Sequence, residues 1–92
     1  MRDQIRAWID QDRDLLVEIL SKFIQARSPN PPGDTLAAAA HVTGFLDREK
    51  LVHRVIAPNK IMPNIVASFD AAAPGKHLVL NGHIDVFPVG DE

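Results

Sequence analysis

The sequence predicts an α/β fold, two helices followed by three strands, and three observations predict it. Apolar residues recur at helical spacing as far as residue 24. After Lys50 the period shortens to that of a strand. Stretches rich in Pro and Gly fall where the pattern changes.

The first helix is expected over residues 4–26. Ile5, Trp8, Ile9, Leu15, Leu16, Ile19, Leu20, Phe23 and Ile24 make one stripe at spacings of three and four, interrupted once by Asp12. Each of these side chains contributes roughly 1.5–3 kcal/mol if fully buried. A lone helix has nothing to bury them against, so a sheet or another helix must cover that face. Ser28-Pro29-Asn30-Pro31-Pro32-Gly33 ends the helix, because three prolines and a glycine cannot continue it. Asp34 or Thr35 then stands at an N-cap position, where a side-chain oxygen accepts from a free amide of the first turn. The second helix is expected over 35–50, with Ala37–Ala40 favouring it and Leu36, Ala39, Ala40, Thr43 and Leu46 on one face. Gly44 costs it about 1 kcal/mol relative to Ala. No glycine marks its end near Glu49-Lys50-Leu51, so water or a side chain is expected to satisfy the last carbonyls.

Three strands follow. In the first, Val52, Arg54 and Ile56 face one way and His53 and Val55 the other. Ala57-Pro58-Asn59-Lys60 turns the chain into a second strand over 64–69. Residues 70–76 form a loop, and His77-Leu78-Val79-Leu80-Asn81 reads as a third strand. It is mostly apolar on both faces, the mark of a central strand covered on both sides.

Composition bounds the function. Ninety-two residues make one small domain, 46% hydrophobic and 24% charged, which is ordinary for a globular chain. The net charge is −2 and no run of like charge stands out, so neither nucleic acid nor an anionic membrane is an expected partner. No apolar run approaches the roughly 20 residues that span a bilayer, and the charged N-terminus has no signal core. A cytoplasmic location is expected. With no cysteine, disulfides and thiolate metal sites are excluded; His, Asp and Glu remain as strong ligands.

The chemistry-bearing stretch is LVLNGHIDVFPVGDE, residues 78–92. In an extended chain, residues i and i+2 project to the same side, so His83 and Asp85 project together. A neutral imidazole is a good zinc ligand, and a neighbouring carboxylate can bind the same ion or hold the ring through its other nitrogen. Gly82 allows close approach just before the histidine. On this spacing alone, a structural hydrogen-bonded pair is the simpler account, since a catalytic zinc takes about three protein ligands.

The whole stretch resembles the first metal-site motif of the M20 metallopeptidase and deacylase family, an apolar strand followed by Gly-His-x-Asp-x-x-Pro. Gly82, His83, Asp85 and Pro88 fit that pattern. The upstream Ser-Pro, the NPPGD loop, the second helix, the strand pair and Pro74-Gly75-Lys76 fit it too, so the resemblance covers nearly all 92 residues. It implies the N-terminal portion of one larger zinc-peptidase-like catalytic domain, carrying one or two Zn2+ ions, with Co2+ as a substitute. His83 would be a metal ligand and Asp85 the active-site carboxylate that orients it. The family cleaves amide bonds of N-acyl amino acids or small peptides with metal-activated water, and its members include aminoacylases, acetylornithine deacetylase, succinyl-diaminopimelate desuccinylase and glutamate-releasing carboxypeptidases. The family's bridging Asp, Glu-Glu pair and remaining ligands would lie downstream, as would its dimerisation domain. The 92 residues alone are therefore expected to be inactive, and the full-length parent to be a homodimer.

The other histidines, His41, His53 and His77, read as hydrogen-bonded or solvated groups. His77 lies roughly 20 Å from His83 along a straight strand, too far to share an ion. Asp91 and Glu92 receive no role beyond a loop bordering a cleft or a frayed end. The rival account is a non-enzymatic small α/β interaction module that binds a partner through its helical stripe and strand edges. A metal-binding structural domain would need at least two more ligands near His83.

Overall fold

A computed structural model of the chain describes residues 1–90. Asp91 and Glu92 lie outside the described residues. The elements run α1 (Arg2–Gln11), α2 (Arg13–Gln25), α3 (Leu36–Arg48), β1 (His53–Ile56) and β2 (Asn64–Ala67). The α/β class expected from the pattern is present, as three helices and a two-stranded antiparallel sheet.

The first predicted helix is two. The break falls at Asp12, the residue that interrupts the apolar stripe, where φ is −93° and ψ 9°. Hydrogen bonds still pass through it, from the Asp12 amide to Trp8 O at 3.0 Å and from the Leu16 amide to Asp12 O at 2.9 Å. The break is thus a bend, not a loop. Aspartate is a poor helix former, and Asp10 and Asp14 place like charges one turn apart across it.

At the start of α3 the N-cap expectation divides between two residues. Thr35 occupies the N-cap position, while the Asp34 carboxylate accepts from the Leu36 amide at 3.1 Å. The end of α3 is set by backbone, contrary to the expectation of water or a side chain. Lys50 adopts φ +57°. Its amide bonds Asp47 O at 3.1 Å, and the Leu51 amide bonds Leu46 O at 2.9 Å. This is a Schellman closure with a lysine in the position that glycine usually takes. The buried alanines of α3 are Ala38 and Ala39, and Ala40 is exposed, so the packed face is rotated from the one expected. The reason is that α3 packs against both α2 and β2, not one neighbour.

His41 ties α3 to α2. Its Nε2 donates to Ile19 O at 3.2 Å, and its ring stacks on Phe23 with centroids 5.9 Å apart. In the sheet, His53 pairs with Ala67 and Ile56 with Asn64. Both strands are shorter than expected, by one residue at Val52 and by two at Ser68-Phe69.

The third expected strand does not form among the described residues. Residues 77–81 have no ladder partner, and Leu78, Val79 and Leu80 are exposed instead of covered on both faces. A strand exists only where a neighbour takes up its N–H and C=O groups, and neither β1 nor β2 pairs with residues 77–81 along its outer edge.

The chain is extended for its length. Its radius of gyration is 15.7 Å, against about 12 Å for a compact chain of this size. No large side chain is fully buried among the described residues, and the stripe of α1 and α2 is half open, with Trp8 at 55% and Leu20 at 57% exposed. No helix is long and apolar enough to cross a membrane among the described residues.

Candidate functional site

The site is built where the Pro-rich loop meets the closing motif. Ser28 and Asn30 each precede a proline, which pushes both toward extended backbone. That conformation lets the loop pair in parallel with the motif, at the bridge Pro29↔Val86. The Val86 amide donates to Ser28 O at 3.0 Å, and the Asn30 amide donates to Val86 O at 2.8 Å. A parallel bridge uses the groups flanking its central residue. Pro29, which has no N–H, can therefore occupy the centre without loss.

Side chains complete the junction. The buried Ser28 hydroxyl donates to Ile84 O at 2.9 Å. The Asn30 amide Nδ2 donates to Asp85 Oδ2 at 3.0 Å. On its far side the loop is held by Ile61, whose carbonyl accepts from the Thr35 amide at 2.9 Å and from the Thr35 hydroxyl at 3.4 Å. Gly33, at φ +86°, packs so closely under Met62 that a Cβ there would stand 2.5 Å from Met62 Cε. The loop expected only to end the first helix is therefore a junction that joins α3, the β1–β2 connection and the motif.

The structure brings His83 and Asp85 together as their spacing implies. His83 Nδ1 lies 2.8 Å from Asp85 O and 3.3 Å from Asp85 Oδ1. Both are acceptors when the carboxyl is ionised, so Nδ1 carries the proton and Nε2 presents its lone pair. Nε2 has no partner among the described residues, and the side chain is 83% exposed. The Asn30 amide holds the Asp85 carboxyl below its ordinary value; desolvation opposes it, and the charge and hydrogen bond of His83 add lesser lowering contributions. Asn30, His83, Asp85, Val86 and Phe87 line an open depression of about 510 Å³.

The donor set fits one zinc ligand and its orienting carboxylate, and no more. Among the described residues no three His, Cys, Asp or Glu side chains converge on a point that an ion can occupy. His41 and His53 are used elsewhere, His53 through Leu51 O at 3.0 Å and Asp47 Oδ1 at 3.6 Å. Sequence reasoning passed over Ser28 and Asn30 as site residues. The available signal was a polar residue before each of two prolines, which marks extended backbone ready to pair.

Comparison of the chain with protein-family models, curated proteins and solved structures returns no match.

Proposed function

We propose that the chain carries the first metal-site segment of a zinc-dependent amidohydrolase acting on N-acyl amino acids or small peptides. One observation carries the proposal: Asp85 engages the His83 ring at Nδ1, Nε2 is left without a partner among the described residues, and both residues line an open depression. That is the arrangement a histidine ligand needs, with the second nitrogen held to fix tautomer and direction.

In this proposal His83 binds the ion, Asp85 orients the ring, and the depression beside Phe87 borders the substrate. The ion would supply Lewis-acid polarisation of the amide carbonyl and a water acidified for attack. Further ligands and the proton-shuttling glutamate come from chain downstream of Glu92, as does a dimerisation domain. The exposed run Leu78–Leu80 supports this, because it would become the covered third strand of a larger sheet once neighbouring strands are added. A cytoplasmic enzyme fits the cysteine-free composition.

The test starts from the natural protein, captured with an antibody to residues 1–92. The expected result is a mass several times 10.1 kDa, stoichiometric zinc, and amide hydrolysis that His83→Ala abolishes. A mass of 10.1 kDa without zinc would overturn the proposal.

The half-open stripe of α1 and α2 favours a second account, a small interaction module. Such a module unfolds cooperatively as a monomer and does not bind a hydrophobic dye. A piece of a larger domain binds the dye and associates.

A further inference from the structure

We infer that Asn30 is a positioning residue, which sets the Asp85 carboxylate and through it the tautomer and direction of the His83 ring. The inference deepens the proposed function and rests on the proposal that His83 is a metal ligand.

The argument begins with the backbone. The Pro29↔Val86 bridge, with its bonds from the Val86 amide to Ser28 O and from the Asn30 amide to Val86 O, places residues 28–30 alongside 84–86 in fixed register. The Ser28 hydroxyl on Ile84 O adds a third tie on the same side. With that register set, the Asn30 side chain falls beside Asp85, and its Nδ2 donates to Oδ2 at 3.0 Å. An aspartate carboxylate has two oxygens that rotate about one bond. Holding Oδ2 decides where Oδ1 goes, and Oδ1 is the oxygen 3.3 Å from His83 Nδ1.

The ring therefore answers to two acceptors, the Asp85 carbonyl at 2.8 Å and the carboxylate oxygen at 3.3 Å. Both require the proton on Nδ1. Only the second depends on Asn30. Asn30 is suited to the task because a carboxamide donates without adding charge and has a short stem that an extended pre-proline backbone aims sideways. Gly33 leaves room for the amide in this position, since a Cβ there would stand 3.3 Å from Asn30 Oδ1.

The test reads the tautomer, not activity. Ring-labelled 15N spectra of the full 92-residue chain, at one pH where His83 is neutral, give the ratio of its Nδ1–H to Nε2–H forms. The wild type is expected to be mostly Nδ1–H. Asn30→Ala should lower the ratio by about twofold or more, the effect of losing one modest hydrogen bond. Asn30→Asp, nearly the same shape but a second carboxylate facing Asp85, should lower it at least as far.

The Val86 amide resonance reports whether the bridge to Ser28 survives, and the comparison is made on variants that keep it. Asn30→Asp supplies that comparison if Asn30→Ala loses the bridge. An unchanged ratio in a variant with the bridge intact would overturn the inference, and would mean that the Asp85 carbonyl alone holds the ring. Failure of the zinc proposal looks different: the ratio shifts as expected, yet the natural protein contains no metal and His83→Ala leaves its activity unchanged.

Discussion

Replacing Gly33 by alanine tests whether the Pro-rich loop is the junction described above. Gly33 sits at φ +86°. A residue with a Cβ in the left-handed region carries a penalty of about 1–2 kcal/mol. The new methyl would also stand 2.5 Å from Met62 Cε and 3.3 Å from Asn30 Oδ1. Met62 Cε is the free end of a flexible side chain and can swing aside, whereas Asn30 must shift by a few tenths of an ångström. Alanine also restricts the unfolded chain, which returns about 0.4–1 kcal/mol. The net loss is about 1 kcal/mol, or about 4–8 °C in Tm for a chain of this size. Thermal unfolding followed by far-UV circular dichroism measures it for Gly33→Ala, Met62→Ala and the double variant. If the backbone term dominates, the coupling between the two substitutions is within about 0.5 kcal/mol. Full recovery in the double variant would assign the loss to Met62. A Gly33→Ala chain as stable as the wild type would refute the reasoning outright.

Other outcomes follow from the same structure. Lys50→Gly should stabilise the chain by about 0.5–1 kcal/mol, the left-handed penalty relieved less the added freedom of the unfolded state. Lys50→Ala, which keeps a Cβ, should bring no such gain, and equal Tm values for the two variants would remove the Schellman account. Glu18 accepts from Lys22 Nζ at 2.7 Å one turn away, and that hydrogen bond followed by the lysine charge lowers its pKa. A lowered carboxylate pKa stabilises the fold above the unfolded-state value, and the contribution disappears as pH falls through the folded-state value. Glu18→Gln should therefore reduce helicity at neutral pH and match the wild type in acid; a difference that persists in acid would contradict the ion pair as its cause. Leu78 and Leu80 are 80% and 87% exposed. Replacing both by serine should lower hydrophobic-dye binding and leave Tm within about 0.5 kcal/mol equivalent; a large loss of stability would show that the segment is packed.

Local rules carried much of the molecule into view from sequence. The helical stripe located the N-terminal helices, and even the position of their break was visible as the one polar interruption, Asp12. It went unread as a break because propensity alone does not say when a bend is worth making. The pairing of His83 with Asp85 was legible because a two-residue period in extended chain is a property of backbone geometry, independent of neighbours. The left-handed Lys50 was not legible: a lysine gives no signal of φ +57°, and only the Asp47 and Leu46 carbonyls it serves reveal it.

What tertiary structure alone decided is which distant segments meet. Leu78-Val79-Leu80 has every local mark of a central strand, yet a strand is made by its partner, and among the described residues no other segment pairs with it. Asn30 and Asp85 are 55 positions apart, and nothing in either residue announces the other. Their meeting depends on a register set by Ser28, Pro29 and Val86, three residues whose backbone groups align only once the loop is folded against the motif. Sequence by itself determined the types of local structure and the two-residue spacing that faces His83 and Asp85 the same way. The fold determined their surroundings, because hydrogen bonds between remote segments form by proximity, and proximity is a property of the folded chain.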